Sequence, residues 1–196
     1  MPLTLYFDTG QTATPNRTVE YSAATRRYTA GPSVEWHLNQ RFGFELDMLF
    51  KRMGYVGIVN TTTGTTATRL AYDSKGDSWD FPLLAKYRFA RRWRPYVAAG
   101  GTLRYVGPVH MPSDITVTDL TTGTVVRTPF ETSSPSDLRK RFYPGLTVAG
   151  GIELGGGRLH VLPEFRYTHW TANIAGAGGV LRFTPNQAEV LVGLLW

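Results

Sequence analysis

The sequence contains no cysteine. That excludes a disulfide framework, a thiol nucleophile and any cysteine-ligated metal. It also lacks a run of about 18 apolar residues, so it encodes no transmembrane helix. Helical periodicity is nearly absent. No signal peptide is visible in the sequence, since Met1-Pro2-Leu3 leads directly into a polar segment. The histidines, His37, His110, His160 and His169, have no metal-ligand spacing, so no metal and no cofactor are expected. The formal charge of +6 comes from scattered basic residues. The densest groups, Arg91/Arg92/Arg94 and Arg139/Lys140/Arg141, fall at expected turns and loops. They read as a solvated rim, with no nucleic acid as partner.

What the sequence does contain is alternation with a period of two, the mark of strands with two unlike faces. Residues 28–38 place Tyr28, Ala30, Pro32, Val34, Trp36 and Leu38 on one face. Residues 42–50 set Phe42, Phe44, Leu46, Met48 and Phe50 against Gly43, Glu45, Asp47 and Leu49. The same pattern recurs over 79–89, 95–105, 142–154, 159–167 and 187–196, and a short run at 3–7 is a candidate eighth strand. Short connections at 39–41, 90–94 and 155–157 alternate with long polar ones at 8–27, 54–77, 107–140 and 171–186. In an up-and-down meander this puts all long loops at one end and all tight turns at the other.

Alternation alone leaves two barrels open. With the apolar face inward the chain is a soluble, lipocalin-like carrier of an apolar ligand. With the apolar face outward it crosses a bilayer and keeps a polar interior. The strands are about as long as a tilted crossing requires. The unequal loops and the aromatics near strand ends also favour the bilayer. The expected fold is therefore an all-β, eight-stranded antiparallel up-and-down transmembrane β-barrel. It has a polar interior, four long loops and three short turns, and it occupies residues 1–196 as one domain. Pro32, Pro82, Pro95, Pro144 and Pro163 lie inside apparent strands and are expected near a rim, where pairing can end. The mid-strand pairs Gly100-Gly101 and Gly150-Gly151 are expected to leave lumen space for large side chains.

The polar face holds ionised residues of both signs. Glu35, Glu45, Asp47, Asp80, Glu153, Glu164 and Glu189 can meet Lys51, Lys86, Arg88, Arg104 and Arg166 in the lumen. The plain reading is a structural plug of ion pairs. The functional variant is a gate, in which exchanged partners open a small pore. His37 and His160 also point to the lumen, as satisfied interior histidines or as a proton-sensitive pair.

The pattern from Tyr28 to Trp196 resembles the small outer-membrane β-barrel family of OmpA/OmpX-like proteins. In that family a terminal aromatic after alternating apolar residues is similar to the signal read by the barrel-assembly machinery. The resemblance carries that role to Val190, Val192, Leu194 and Trp196 in "EVLVGLLW". It implies a Gram-negative bacterial outer membrane. It also implies contact with the lipid bilayer and lipopolysaccharide, passage through the assembly machinery, and a monomer. The short run at 3–7 departs from the family's full first strand and puts the natural start further upstream. Some such barrels are lipid A deacylases with a Ser/His/Glu group on the outer wall. His169 in "YTHWT" has the right register, but no serine follows it, so no catalytic residue is assigned. The expected role is structural or surface-interacting and non-enzymatic. The loops rich in Thr, Ser and Gly at 60–69 and 117–129 are the place for partners, and their arginines could meet lipopolysaccharide phosphates.

Overall fold

The computed structural model describes residues 1–4, 7, 9–24, 26–90, 93–133, 141–156, 159–171 and 184–195. Thirteen strand elements occur there: β1 (Gly10–Thr14), β2 (Arg17–Ala23), β3 (Thr29–Ala30), β4 (Ser33–His37), β5 (Phe42–Asp47), β6 (Leu49–Thr63), β7 (Thr66–Arg88), β8 (Pro95–Asp119), β9 (Val125–Thr132), β10 (Phe142–Ile152), β11 (Leu154–Gly156), β12 (Leu159–Trp170) and β13 (Asn186–Leu195). They form one curled, antiparallel sheet whose central path is β2-β6-β7-β8-β10-β12, with β13 on β12 and β4 on β5.

The count departs from the eight strands expected, for two reasons. First, some crossings are split. Residues 28–38 divide into β3 and β4 at Gly31-Pro32, and 42–50 divide into β5 and β6 at Met48. Second, most of the expected long loops are themselves extended. Segment 8–27 contains the β1–β2 hairpin. Segment 54–77 continues β6, turns at Gly64-Thr65 and returns as β7. Segment 107–140 continues β8 and returns as β9. Runs of threonine and valine fit a pleated surface well. Gly64 and Gly123 supply the positive φ (58° and 71°) that these turns need. In the fourth long segment, residues 172–183 lie outside the described residues, as do Arg91, Arg92, Arg139, Lys140 and, in the run at 3–7, Leu5 and Tyr6.

Burial decides which face is inside. Phe42, Phe44, Leu46 and Met48 are exposed, while Gly43, Glu45, Asp47 and Leu49 are buried. The same holds along β10, where Leu146 is 63% exposed and its neighbour Thr147 only 1%. The apolar face is thus outward, and the carrier reading with its apolar face inward does not hold.

The outer face is banded by height. Phe50, Trp79, Tyr105 and Phe142 pair directly across four strands in one row. A second aromatic group, Phe42, Tyr87 and Phe89, lies eight residues lower on β7, with ring centroids about 5 Å apart. Eight residues span roughly 27 Å along a strand, close to a bilayer's apolar band after tilting. Between the two groups run Leu46, Leu83, Gly101 and Leu146, again one cross-strand row. Above Trp79 the outward positions turn polar, with Asp77, Lys75 and Asp73 on β7.

Irregularities cluster where the bands change. β8 carries an extra residue near Gly107, where the register with β7 shifts between Gly76 and Ser78. Pro82 was expected near a rim, yet it lies within the long β7. It is tolerated because it faces a break in the ladder: Leu83 pairs with Leu46 and Asp80 with Leu49, so the Met48 interruption is opposite it. At that break Met48 donates its N–H to the Pro32 carbonyl. The Met48 carbonyl comes so close to Gly31 that a Cβ there would sit 1.8 Å from it.

One edge of the curled sheet is partly dressed. Val190 N–H donates to the Met1 carbonyl (3.0 Å), and Leu3 N–H donates to the Ala188 carbonyl (2.8 Å). Below Val190, among the described residues, no strand pairs with this side of β13. A cavity of about 490 Å³ separates it from β3 and β4 there.

Candidate functional site: the lumen network and the sheet above it

The inward positions of β4, β5, β6, β7, β8, β10, β12 and β13 converge on the lumen. Arg166 on β12 is the hub. Its guanidinium reaches Asp47 (2.7 Å), Glu45 (3.0 Å) and Glu164 (2.6 Å). Lys51 on β6 bridges Asp80 (2.8 Å) and Glu189 (2.6 Å). Arg104 on β8 forks onto both oxygens of Asp80, at 2.6 and 2.8 Å, and donates to Gln187 as well. Lys86 lies between Glu35 and Glu45. Toward the short turns, Arg88 meets Glu35 and Glu153, and Glu153 also takes Arg94 and His160 at 3.0 Å each. The lumen residues named from the sequence fall into two sets: Lys51, Asp80, Arg104 and Glu189 form one, and Arg166, Asp47, Glu45, Glu164, Lys86, Glu35, Arg88 and Glu153 form the other. An unpaired charge at such a depth would be very costly, and mutual pairing removes that cost.

Several lumen residues were missed. Thr102, Thr147 and Thr168 join in a hydroxyl chain, at 2.5 and 2.8 Å. Tyr96 donates to Glu164, and Gln187, which the sequence pattern already faces to the lumen, receives Arg104. They share the inward parity of Arg104 and Arg166, so strict alternation would have found them. The aromatic side chains also use the glycines. Tyr96 pairs across strands with Gly151, and Trp170 with Gly145. In each case the ring occupies the space a Cβ would need. Each ring also carries a cation: Lys86 at 4.2 Å from the Tyr96 centroid and Arg104 at 4.0 Å from that of Trp170.

Above the network the inward face changes character. Phe7, Met53, Tyr55, Val106, Val109, Tyr143 and Trp170 form an apolar cluster that caps the charges. An outward apolar belt around a polar, ion-paired interior is the arrangement of a membrane-spanning barrel. The family model for the outer membrane protein beta-barrel domain matches residues 5–169. The chain belongs to that family. This outer membrane β-barrel is thereby placed in the bacterial outer membrane. No curated protein and no solved structure matches the chain.

Other candidate sites in the barrel are simpler. His169 is exposed and within 2.7 Å of Asn186 Oδ1, with Tyr167 donating to the same oxygen. His37 contacts Glu35 at 3.5 Å. His160 lies on Glu153, well apart in sequence from His37, and both belong to the lower mouth of the network. Val190, Val192 and Leu194 are exposed on the lipid side of β13, and Trp196 lies outside the described residues. Among the described residues no cluster of His, Asp and Glu could hold a metal ion.

In the sheet above the membrane, Asp114 pairs with Arg127 at 2.8 Å and joins β8 to β9. The Arg127 guanidinium holds the Asp114 carboxyl below the usual carboxylate range. Asp119 accepts the N–H groups of Thr121 and Thr122 at the β8–β9 turn, and these lower its pKa too.

Proposed function

We propose that this outer-membrane barrel is a closed, non-enzymatic scaffold that presents the sheet above the membrane for surface interactions. The observation that carries the reading is the lumen network. Arg166, Lys51, Arg104, Lys86 and Arg88 are each buried and each held by carboxylates. Such a plug of paired side chains supports a closed lumen, as expected of a narrow barrel filled by side chains. Loops and extensions on a rigid scaffold are the usual place of binding. Arg69 stands exposed on β7 and can meet lipopolysaccharide phosphate, while Arg127 is engaged by Asp114. The assembly role of Val190, Val192, Leu194 and Trp196 and a monomeric state complete the proposal.

The specific rival is a small gated pore. The network supports it in one respect: Glu45 is shared between Lys86 and Arg166, so partners could exchange. Planar-bilayer recording of the purified protein separates the two. The scaffold reading expects a silent bilayer, and Glu45→Gln is expected to leave it silent. Discrete current steps that change with Glu45→Gln would overturn the scaffold in favour of the pore.

A further inference from the structure

The sheet above the membrane contains a cavity of about 1070 Å³ bordered by β1, β2, β6, β7, β8 and β9. One cross-strand row runs through it: Gly10–Tyr21–Gly57–Tyr72–Ser113–Phe130. All six residues of that row line the cavity. Small residues alternate with rings, and the spacing has a consequence. A Cβ on Gly10 would lie 2.2 Å from the Tyr21 hydroxyl, and one on Gly57 would lie 2.3 Å from the Tyr72 ring. Each tyrosine therefore lies flat over the glycine opposite it and does not stand off the sheet. Two strand spacings, roughly 9–10 Å, separate Tyr21 from Tyr72, and Phe130 continues the row at the same interval.

The rest of the lining supplies hydrogen-bonding groups with little free charge. Asp73 is held by Lys75 at 2.6 Å, and Asp114 by Arg127 at 2.8 Å. Glu20 accepts from Gln11 at 3.0 Å. These carboxylates lie on the opposite face of the sheet from the aromatic row, and no lysine or arginine is among the lining residues described. We infer that this cavity is a binding site for neutral saccharide chains. The apolar C–H face of a sugar ring suits the negative face of a flat aromatic ring. Its hydroxyls suit Ser113 and the Tyr72 hydroxyl, which share that face. Acidic sugars are disfavoured, because the face of the aromatic row offers no cation to meet them. The inference deepens the surface-interaction reading and rests on it.

The test uses the full chain in phosphatidylcholine nanodiscs, since sugar-based detergents would compete. Three probes are presented: neutral oligosaccharides of host type, their sialylated counterparts, and the polysaccharide released from lipopolysaccharide by mild acid. Binding of a neutral chain, weakened about tenfold by Tyr21→Ala and retained by Tyr21→Phe, is expected. Phe130→Ala on the exposed strand β9 should also weaken it, and that variant leaves the barrel's interior untouched. The first and third probes distinguish a foreign glycan from the cell's own. No binding to any neutral probe overturns the inference, as does binding unchanged by both Tyr21→Ala and Phe130→Ala. So does preference for the sialylated probes, or binding of spermine with none of the sugars. A protein that binds no sugar yet stays silent in the bilayer sinks the saccharide site and leaves the scaffold reading standing.

Discussion

The lower and upper halves of β7 and β8 are continuous strands in opposite solvents. Below the Phe50–Trp79–Tyr105–Phe142 row, the outward side is Leu, Phe and Val, and the inward side is ionised. Above it, the outward side carries Asp73, Lys75 and Asp77, and the inward side carries Tyr21, Tyr55 and Tyr72. The backbone does the same thing in both halves, so the inversion lies wholly in the side chains. It teaches that in such a sheet alternation fixes which residues share a face, while the surrounding medium fixes what each face must be.

The sharpest way to break the contrast is to remove the hub of the lower half. Arg166→Met leaves Glu45, Asp47 and Glu164 without their common partner in a buried setting. A loss of about 3–5 kcal/mol is expected, read as an earlier urea midpoint in lipid vesicles by tryptophan fluorescence. Unchanged stability would mean that the carboxylates are not desolvated as the burial indicates.

A smaller effect separates the two outer faces directly. Leu83→Arg puts a charge midway between the aromatic groups and is expected to cost about 2–4 kcal/mol, whereas Thr62→Arg on the exposed upper part of β6 should cost under about 1 kcal/mol. Equal penalties in the same vesicle assay would mean that the membrane band has been placed at the wrong height.

The smallest effect concerns the upper half alone. The Asp114 carboxyl is held below its ordinary range by Arg127. A depressed folded pKa stabilises the pairing above the unfolded value, about 3.9, and that support is lost as pH falls through the folded value. Amide exchange in β9, corrected for its intrinsic pH dependence, should therefore stay flat from neutrality down to about pH 4 and rise only below it. A rise already near pH 6 would point to a group other than Asp114.

The two halves were not equally legible. In the lower half Phe44/Glu45 and Val148/Thr147 betrayed their faces, because lipid and lumen demand opposite chemistry of neighbours. The residues of the ion-pair set could be named from parity. Their partners could not, since Arg166 meets Asp47 across 119 positions and only register brings them together. In the upper half both faces touch water at least in part. The contrast fades there, and Asn60 to Arg69 read as a loop when the residues are strand around a Gly64 turn. The glycines were visible without their rings: Gly151 was noticed as spare volume, but that Tyr96 fills it depends on a pairing that no local pattern encodes. The break at Met48 was hidden for the same reason, and it turned Pro82 from a rim residue into an interior one.

The edge dressed by Met1 and Leu3 bears on the order of assembly. The β6–β7 hairpin closes over the short Gly64-Thr65 turn, whereas the Leu3–Ala188 contact joins residues 185 positions apart. Loop-closure entropy makes such a contact slow to form and unrewarded until the sheet between its ends exists. The seam is thus closed by hydrogen bonds among the longest in sequence, which loop-closure entropy makes the last to form.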